Sequence, residues 1–173
     1  MGDDNGFTEI IKNYKDPLML YLNTFVGDLH VAEELCEETF VKIVIKKPHY
    51  NGKASFKTWL YTIGGNVARD YLRKRGRHFE CPLEALGEMP SEEADFEREF
   101  IASEQKIILR NALSTLKTEH RTVLWLVYFE NLSVKEASAV LKKSVHATET
   151  LVYRAKKALK AELERSGFDC ENI

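Results

Sequence analysis

One segment of the chain combines the residue types that bind an unpaired nucleic-acid strand. It reads SFKTWLYTIGGNVARDYLRKRGR and begins at Ser55. Aromatic rings can stack on bases, the amide of Asn66 can hydrogen-bond a base edge, and the cations from Arg69 onward can hold phosphates. The pattern also has a plainer interpretation, because Phe56 and Trp59 on an amphipathic helix are more often core residues, and charged residues more often form a solvated face.

A second candidate for nucleic-acid binding is a short helix, a tight turn and a long helix near the C-terminus. Ser133 and Glu136 form a capping-box pattern that starts the short helix, and Ser144 can cap the long one. This arrangement is typical of a helix-turn-helix, whose second helix enters the major groove. A packed helical hairpin has the same spacing, so DNA contact is favoured mainly by the cations of the long helix. The predicted base readers are His146, Thr150, Tyr153 and Arg154.

An acidic helix face in the segment AEELCEETF is a candidate protein-binding site. Such a face is usually only solvated. Beside the apolar Leu35 and Phe40 it can instead dock on a basic partner, because charges steer association while apolar anchors hold it. Its acidic members are Glu33, Glu34, Glu37 and Glu38.

The spacing of the cysteines and histidines predicts neither a catalytic site nor a metal site. The three cysteines are far apart and show no spacing typical of zinc ligands or of a disulfide framework. The five histidines are scattered along the chain, so local spacing builds neither a metal site nor a catalytic dyad. We therefore expect no enzyme activity, no metal, no cofactor and no small-molecule substrate.

Charge and hydropathy indicate a soluble two-part protein. No apolar run approaches the roughly 18 to 20 residues of a membrane span, and the start of the chain is acidic, so we expect a cytoplasmic protein without membrane insertion. Residues 1–78 carry 12 basic and 10 acidic side chains, residues 79–99 carry 1 and 8, and residues 100–173 carry 12 and 9. The acidic excess of the connector therefore outweighs the small basic excess of the two halves in the net charge of the chain.

Apolar residues recur at helical spacing in both halves, and no segment alternates as a strand does. In the first half, Pro17 interrupts the helical pattern, and Asp28 is placed to cap the next helix. The most regular stripe of apolar residues in the chain begins at Ser55. Gly64 and Gly65 interrupt that stripe, which indicates that another helix or a ligand approaches the backbone there. The predicted fold is all-α, with two small helical domains and an acidic linker.

Three motifs, in order, resemble those of the extracytoplasmic-function (ECF) class of bacterial sigma factors. VAEELCEETFVKI is similar to the motif that binds the polymerase clamp, and SFKTWLYTIGGNVARDYLRKR to the promoter-melting helix. RTVLWLVYFENLSVKEASAVLKKSVHATETLVYRAKKAL resembles the C-terminal helix-turn-helix. The resemblance implies sigma domain 2 at residues 1–78, a linker at 79–99 and sigma domain 4 at 100–173. It also implies core RNA polymerase, promoter DNA and an anti-sigma factor as partners, and a role in stress responses.

The resemblance assigns roles to individual positions. The clamp-binding set would be Glu33, Glu34, Leu35, Glu37, Glu38 and Phe40. The minus-ten element would be met by Tyr50, Asn51, Lys53, Asn66, Arg69, Asp70, Arg73 and Lys74, of which the loop from Tyr50 to Lys53 would help form a pocket for a flipped base. The minus-thirty-five element would be met by His146, Glu149, Thr150, Tyr153, Arg154 and Lys157.

Several positions depart from the family pattern. Gly64 and Gly65 stand where Ala and Arg are usual, Glu37 replaces a Gln, and Glu149 and Leu151 replace cations. Two other functions stay open at this point: an ordinary helix-turn-helix regulator, or a degenerate sigma relative that acts only through protein partners.

Overall fold

The computed structural model describes residues 4–76 and 96–167, and within these ranges every regular element is a helix. Three helices form an N-terminal body: α1 (Asp4–Val26), α2 (Leu29–Lys46) and α3 (Phe56–Arg75). The C-terminal body contains α4 (Phe96–Thr115), α5 (Thr118–Leu124), a π-helical turn (Trp125–Phe129), α6 (Val134–Leu141) and α7 (Val145–Arg165). The all-α prediction is confirmed, and none of the described helices is long and apolar enough to cross a membrane.

The predicted helix starts are formed by the side chains that the sequence offers. Asp28 caps α2 by accepting from the backbone N–H groups of His30 and Val31. Ser55 caps α3 through Thr58 N–H. Ser133 and Glu136 form the complete capping box of α6. Each cap satisfies backbone donors that the first turn of a helix leaves unpaired, so these local predictions are confirmed.

Three local features differ from the sequence-based expectation. Pro17 lies inside a continuous α1, because the apolar face on both sides of it packs on the same core and outweighs one missing backbone hydrogen bond. A π-helical turn interrupts the helix expected through Phe129. α4 begins at Phe96, within the segment assigned to the connector. Residues 77–95, which include His78 at the end of the N-terminal half and Cys81 in the connector, lie outside the described residues, as does Cys170.

Two adjacent glycines let α3 pack closely on α1. A Cβ atom on Gly64 would lie 2.9 Å from Leu18 Cδ1, and one on Gly65 would lie 2.7 Å from the Tyr21 hydroxyl. Leu18 and Tyr21 are completely buried. The prediction that a neighbour approaches the backbone at this point is confirmed, and the neighbour is a helix.

The largest hydrophobic core is shared between the two bodies. It includes Leu22, Leu60 and Val67 of the N-terminal body together with Leu126 and Val140 of the C-terminal body. A smaller cluster, containing Leu113, Val123 and Ala155, lies within the C-terminal body. The two sets of helices therefore pack against each other, with α6 on α3 and α5 on α1.

Candidate nucleic-acid interface

The face of α3 and the loop before it carry the residues predicted to meet the minus-ten element. Tyr50 is exposed, its hydroxyl donates to Ala54 O at 2.8 Å, and its ring lies 5.3 Å from that of Trp59. Phe56 lies within 6.0 Å of the Tyr50 ring and 5.4 Å of the Trp59 ring. Asn51 accepts from the backbone N–H of Lys53, which orders the loop. The structure thus joins this loop to an aromatic group at the start of α3, which offers rings on which a base can stack.

Further along α3, the predicted polar residues are ordered by contacts among themselves. Arg69 donates to the amide oxygen of Asn66 at 3.1 Å, and Arg73 forms an ion pair with Asp70 at 2.6 Å. Arg73 and Lys74 are exposed in the last turn. Both ends of this helix are therefore suited to an unpaired strand, with rings at one end and cations at the other. Asn66 and Arg69 are only half exposed.

The long helix α7 presents its predicted readers to solvent. His146, Glu149 and Tyr153 are well exposed, as are Arg154 and Lys157. Thr150 is half-buried, and its hydroxyl donates a hydrogen bond to His146 O. While this bond is made, the Thr150 hydroxyl can only accept a hydrogen bond from a base. The opposite face is anchored by buried residues, namely Thr148, Ala155 and Leu163. α6 and α7 are joined by a turn in which Lys142 adopts positive φ, so the predicted helix-turn-helix geometry is present.

The acidic helix α2 separates into exposed carboxylates and buried apolar residues. Glu34 and Glu37 are exposed, whereas Glu33 pairs with Lys15 at 3.2 Å and Glu38 with Lys42 at 2.7 Å. Leu35 and Phe40 are 3% and 7% exposed and belong to the core. Leu35 and Phe40 thus anchor α2 within its own domain, and the glutamates face outward. A role for these two apolar residues in docking on a partner stays a prediction.

Sequence reasoning missed a set of polar residues that join the two bodies. Arg121 is 4% exposed and donates from Nε to Thr24 O at 2.8 Å and from Nη1 to Ser114 O at 3.0 Å. The Lys57 ammonium lies 2.8 Å from the Glu130 carboxylate. Arg121 lies 97 residues from Thr24 along the chain, and Lys57 lies 73 residues from Glu130. No local spacing in the sequence therefore indicates these contacts.

The other chemically reactive groups of the described residues do not form a site. Cys36 is buried, and burial raises the pKa of its thiol to about 12, so it is a poor nucleophile at neutral pH. Within residues 4–76 and 96–167, no group of three or more His, Cys, Asp or Glu side chains is arranged to hold a metal ion.

Comparison with known proteins identifies both bodies. The family model Sigma-70 region 2 matches residues 10–78, and Sigma-70, region 4 matches residues 106–159. The chain is 25% identical to the ECF RNA polymerase sigma factor SigW of Bacillus subtilis, covering 94% of this chain and 91% of that protein. It is 28% identical to SigM of the same organism, with 93% and 97% covered. The RNA polymerase sigma-H factor of Pseudomonas aeruginosa is 26% identical, with 94% and 89% covered.

Two solved structures share the fold. One is the sigma factor RpoE of Bartonella quintana in complex with the anti-sigma factor NepR, with a TM-score of 0.72, 21% identity, and 92% of this chain and 97% of that chain covered. The other is CnrH in complex with the cytosolic domain of CnrY, with a TM-score of 0.66, 24% identity, and 95% and 91% covered. Both family regions occur in the expected order and together cover more than two thirds of the sequence. The chain therefore belongs to the sigma-70 family, and it is a promoter-recognising sigma factor of the extracytoplasmic-function class.

Proposed function

We propose a specific division of labour for this sigma factor. The N-terminal body binds core RNA polymerase through the outward-facing glutamates of α2 and captures bases of the minus-ten element with α3 and its preceding loop. The C-terminal body reads the minus-thirty-five element with α7. The observation that supports this most is the exposure of three candidate surfaces on three different helices, each backed by buried residues of the same helix.

Promoter melting follows from base capture. Extruding a base from the duplex costs a few kcal/mol, which binding of the flipped base to an aromatic and amide surface can offset. The ring group of Tyr50, Phe56 and Trp59 supplies stacking, and Asn66 supplies hydrogen bonding. Arg73 and Lys74 supply charge for the strand backbone.

The protein has no catalytic group of its own in this proposal, and its activity is exerted on the core enzyme in the cytoplasm. We place domain 2 at 1–78, the connector at 79–99 and domain 4 at 100–173, with the last connector residues already within α4. Structural neighbours were solved with anti-sigma partners, which supports an anti-sigma factor as a regulator of this chain as well.

Reconstituted transcription tests the proposed function. Core polymerase with the purified chain is incubated with a pool of promoter fragments, and start sites are mapped. Glu34→Lys combined with Glu37→Lys is expected to lower affinity for core polymerase at least tenfold with unchanged thermal stability, because both side chains are exposed. Glu164→Lys, an exposed site at the end of α7, is the matched control. Undiminished polymerase binding by the α2 variant would refute the assigned surface, and failure of the unaltered chain to start transcription would refute the function.

A further inference from the structure

The π-helical turn holds one large aromatic side chain out in solvent. Tyr128 is 51% exposed, whereas Leu126 of the same turn is completely buried and Trp125 stacks on Phe129. In an uninterrupted α-helix, Tyr128 would come four residues after the buried Leu124 and lie on the same face. The wider π-helical turn changes this register, so the tyrosine is displayed at the surface instead of completing the core.

A cation of the predicted DNA-reading helix lies over this ring. The Lys156 ammonium of α7 is 5.7 Å from the centre of the Tyr128 ring, within the range of a cation–π contact. Lys156 is itself exposed. Because the ring and the ammonium restrain each other, both are ordered before a ligand arrives, which lowers the entropy cost of binding one.

Lys156 lies at the edge of the DNA-reading face of α7. An α-helix has 3.6 residues per turn, so each residue is rotated by about 100° from the one before it. Measured from Tyr153, Glu149 lies about 40° to one side and Lys156 about 60° to the same side. Lys157 lies about 40° to the other side. The predicted reading face therefore continues past Glu149 to Lys156 and, through the ring contact, to Tyr128.

The polar groups of this pair are available to a ligand. Among the described residues, the Lys156 ammonium contacts the Tyr128 ring and no acidic group, and the Tyr128 hydroxyl has no hydrogen-bond partner. By contrast, Lys160 on the same helix pairs with Glu164. An exposed ammonium beside an exposed phenol suits an anion that accepts hydrogen bonds from both, and a DNA phosphate is such an anion.

The width of α7 indicates which part of the DNA the pair meets. An α-helix with its side chains is about 10 to 12 Å across, and the major groove of B-DNA is about 12 Å wide. A helix that lies in the groove therefore fills it. Residues at the centre of its reading face meet base edges, whereas residues at its flank meet the phosphates that border the groove. Tyr128 and Lys156 are at the flank.

We propose that Tyr128 and Lys156 form a phosphate clamp, which binds the DNA backbone beside the minus-thirty-five element and sets the position of α7 in the major groove. The inference rests on the proposed function of α7 and adds a contact from outside the helix-turn-helix. The π-helical turn supplies this contact, because it brings the phenol beside the flank of α7. A contact with the backbone contributes affinity and register without sequence preference.

The test measures binding of the full chain to a fluorescent minus-thirty-five duplex, taken from a promoter that the transcription assay identifies. Lys156→Gln should weaken binding about three- to tenfold on cognate and non-cognate duplexes alike, and should reduce the slope of log affinity against log salt by about 0.9. Tyr128→Phe keeps the ring and removes the hydroxyl, so it should weaken binding at least about threefold with an unchanged salt slope.

A matched control separates this contact from a general effect of charge. Lys46→Gln removes an exposed lysine from the end of α2 and should leave the affinity for this duplex unchanged. Both clamp residues are exposed, so neither variant should differ from the unaltered chain in thermal stability. Equal binding by the two clamp variants and the Lys46→Gln control would overturn the clamp.

Single neutralised phosphates locate the contact on the DNA. Each phosphate in turn is replaced by an uncharged methylphosphonate, and at one groove edge the unaltered chain should lose affinity where Lys156→Gln loses none. A like response of the two proteins at every position would also overturn the clamp. Arg154→Ala tests α7 itself: if it binds as tightly as the unaltered chain, the reading of DNA by α7 is refuted and the clamp with it. A loss with Arg154→Ala but with neither clamp variant would refute the clamp alone.

Discussion

The Lys57 ammonium lies 2.8 Å from the carboxylate of Glu130 and joins α3 to the residue that follows the π-helical turn. The same carboxylate accepts from the indole N–H of Trp125 at 3.2 Å. Trp125 in turn stacks on Phe129 with ring centroids 4.4 Å apart. The π-helical turn thus places the nearly buried carboxylate of Glu130 against Lys57 of α3, in keeping with the frequent use of π-bulges at functional positions.

Removal of Lys57, whose partner Glu130 is nearly buried, should cost far more stability than removal of a lysine whose partner is exposed. Lys57→Ala leaves the Glu130 carboxylate buried without its counter-charge, so we expect a loss of about 3 kcal/mol in the free energy of unfolding. Lys42→Ala breaks an i,i+4 pair with Glu38, whose carboxylate is 49% exposed and stays hydrated without its partner, so this change should cost less than about 1 kcal/mol. Urea unfolding followed by circular dichroism measures both. Equal losses would show that the Lys57 pair is not buried in solution.

Gly65 should tolerate alanine poorly despite its position inside a helix. Helix propensity alone favours Gly65→Ala by about 1 kcal/mol. The new methyl group would meet the buried Tyr21 hydroxyl at 2.7 Å, so we expect a net destabilisation of about 1 to 3 kcal/mol from overpacking. In a Tyr21→Phe background the same substitution should cost less, because the clashing atom is gone. Additive effects in this double-mutant cycle, measured by urea unfolding, would contradict the close approach.

Glu149 lies on the exposed face of α7, where a carboxylate repels phosphates. Glu149→Lys is therefore expected to tighten binding to a minus-thirty-five duplex and to steepen the slope of log affinity against log salt by about 0.9. Sequence preference should also change, because Glu can accept from cytosine in the major groove and Lys cannot. Fluorescence anisotropy over a series of salt concentrations measures both effects. Glu164→Lys is the charge-matched control, and an equal response from both variants would place Glu149 away from the DNA.

Glu136 should make stability depend on acid pH. Hydrogen bonds from the Ser133 hydroxyl and backbone N–H lower the pKa of its carboxyl below the ordinary 4.5. Because the pKa is lower in the folded state, this stabilisation is complete above the unfolded-state pKa and is lost as pH falls through the folded-state pKa. At pH 7, Glu136→Gln should lower the free energy of unfolding by about 1 kcal/mol.

The difference between the unaltered chain and the Glu136→Gln variant should shrink as the pH falls below about 4.5. Unfolding titrations from pH 7 down to pH 3 check this, with Glu149→Gln as the control for an exposed glutamate. A difference independent of pH would show that the carboxylate is not the group that the capping hydrogen bonds stabilise.

The sequence alone determined the helices, their caps and the order of the functional motifs. Asp28, Ser55, Ser133 and Ser144 each cap a helix because a side-chain oxygen meets a backbone N–H only two or three residues away. Amphipathic spacing likewise placed Tyr153 and Lys157 on an exposed face of α7. Such features depend on neighbours along the chain, so residue order is sufficient to predict them.

Tertiary structure alone decided which apolar and charged residues are available to a partner. Leu35 and Phe40 belong to a motif that resembles a docking site, but packing against α1 and α3 buries them. Arg121 has the sequence character of a surface cation, but it is 4% exposed because Thr24 and Ser114 lie where its donors point. The contact of Lys57 with Glu130 crosses 73 residues of chain. These contacts depend on how two helical bodies meet, and local spacing carries no information about that meeting.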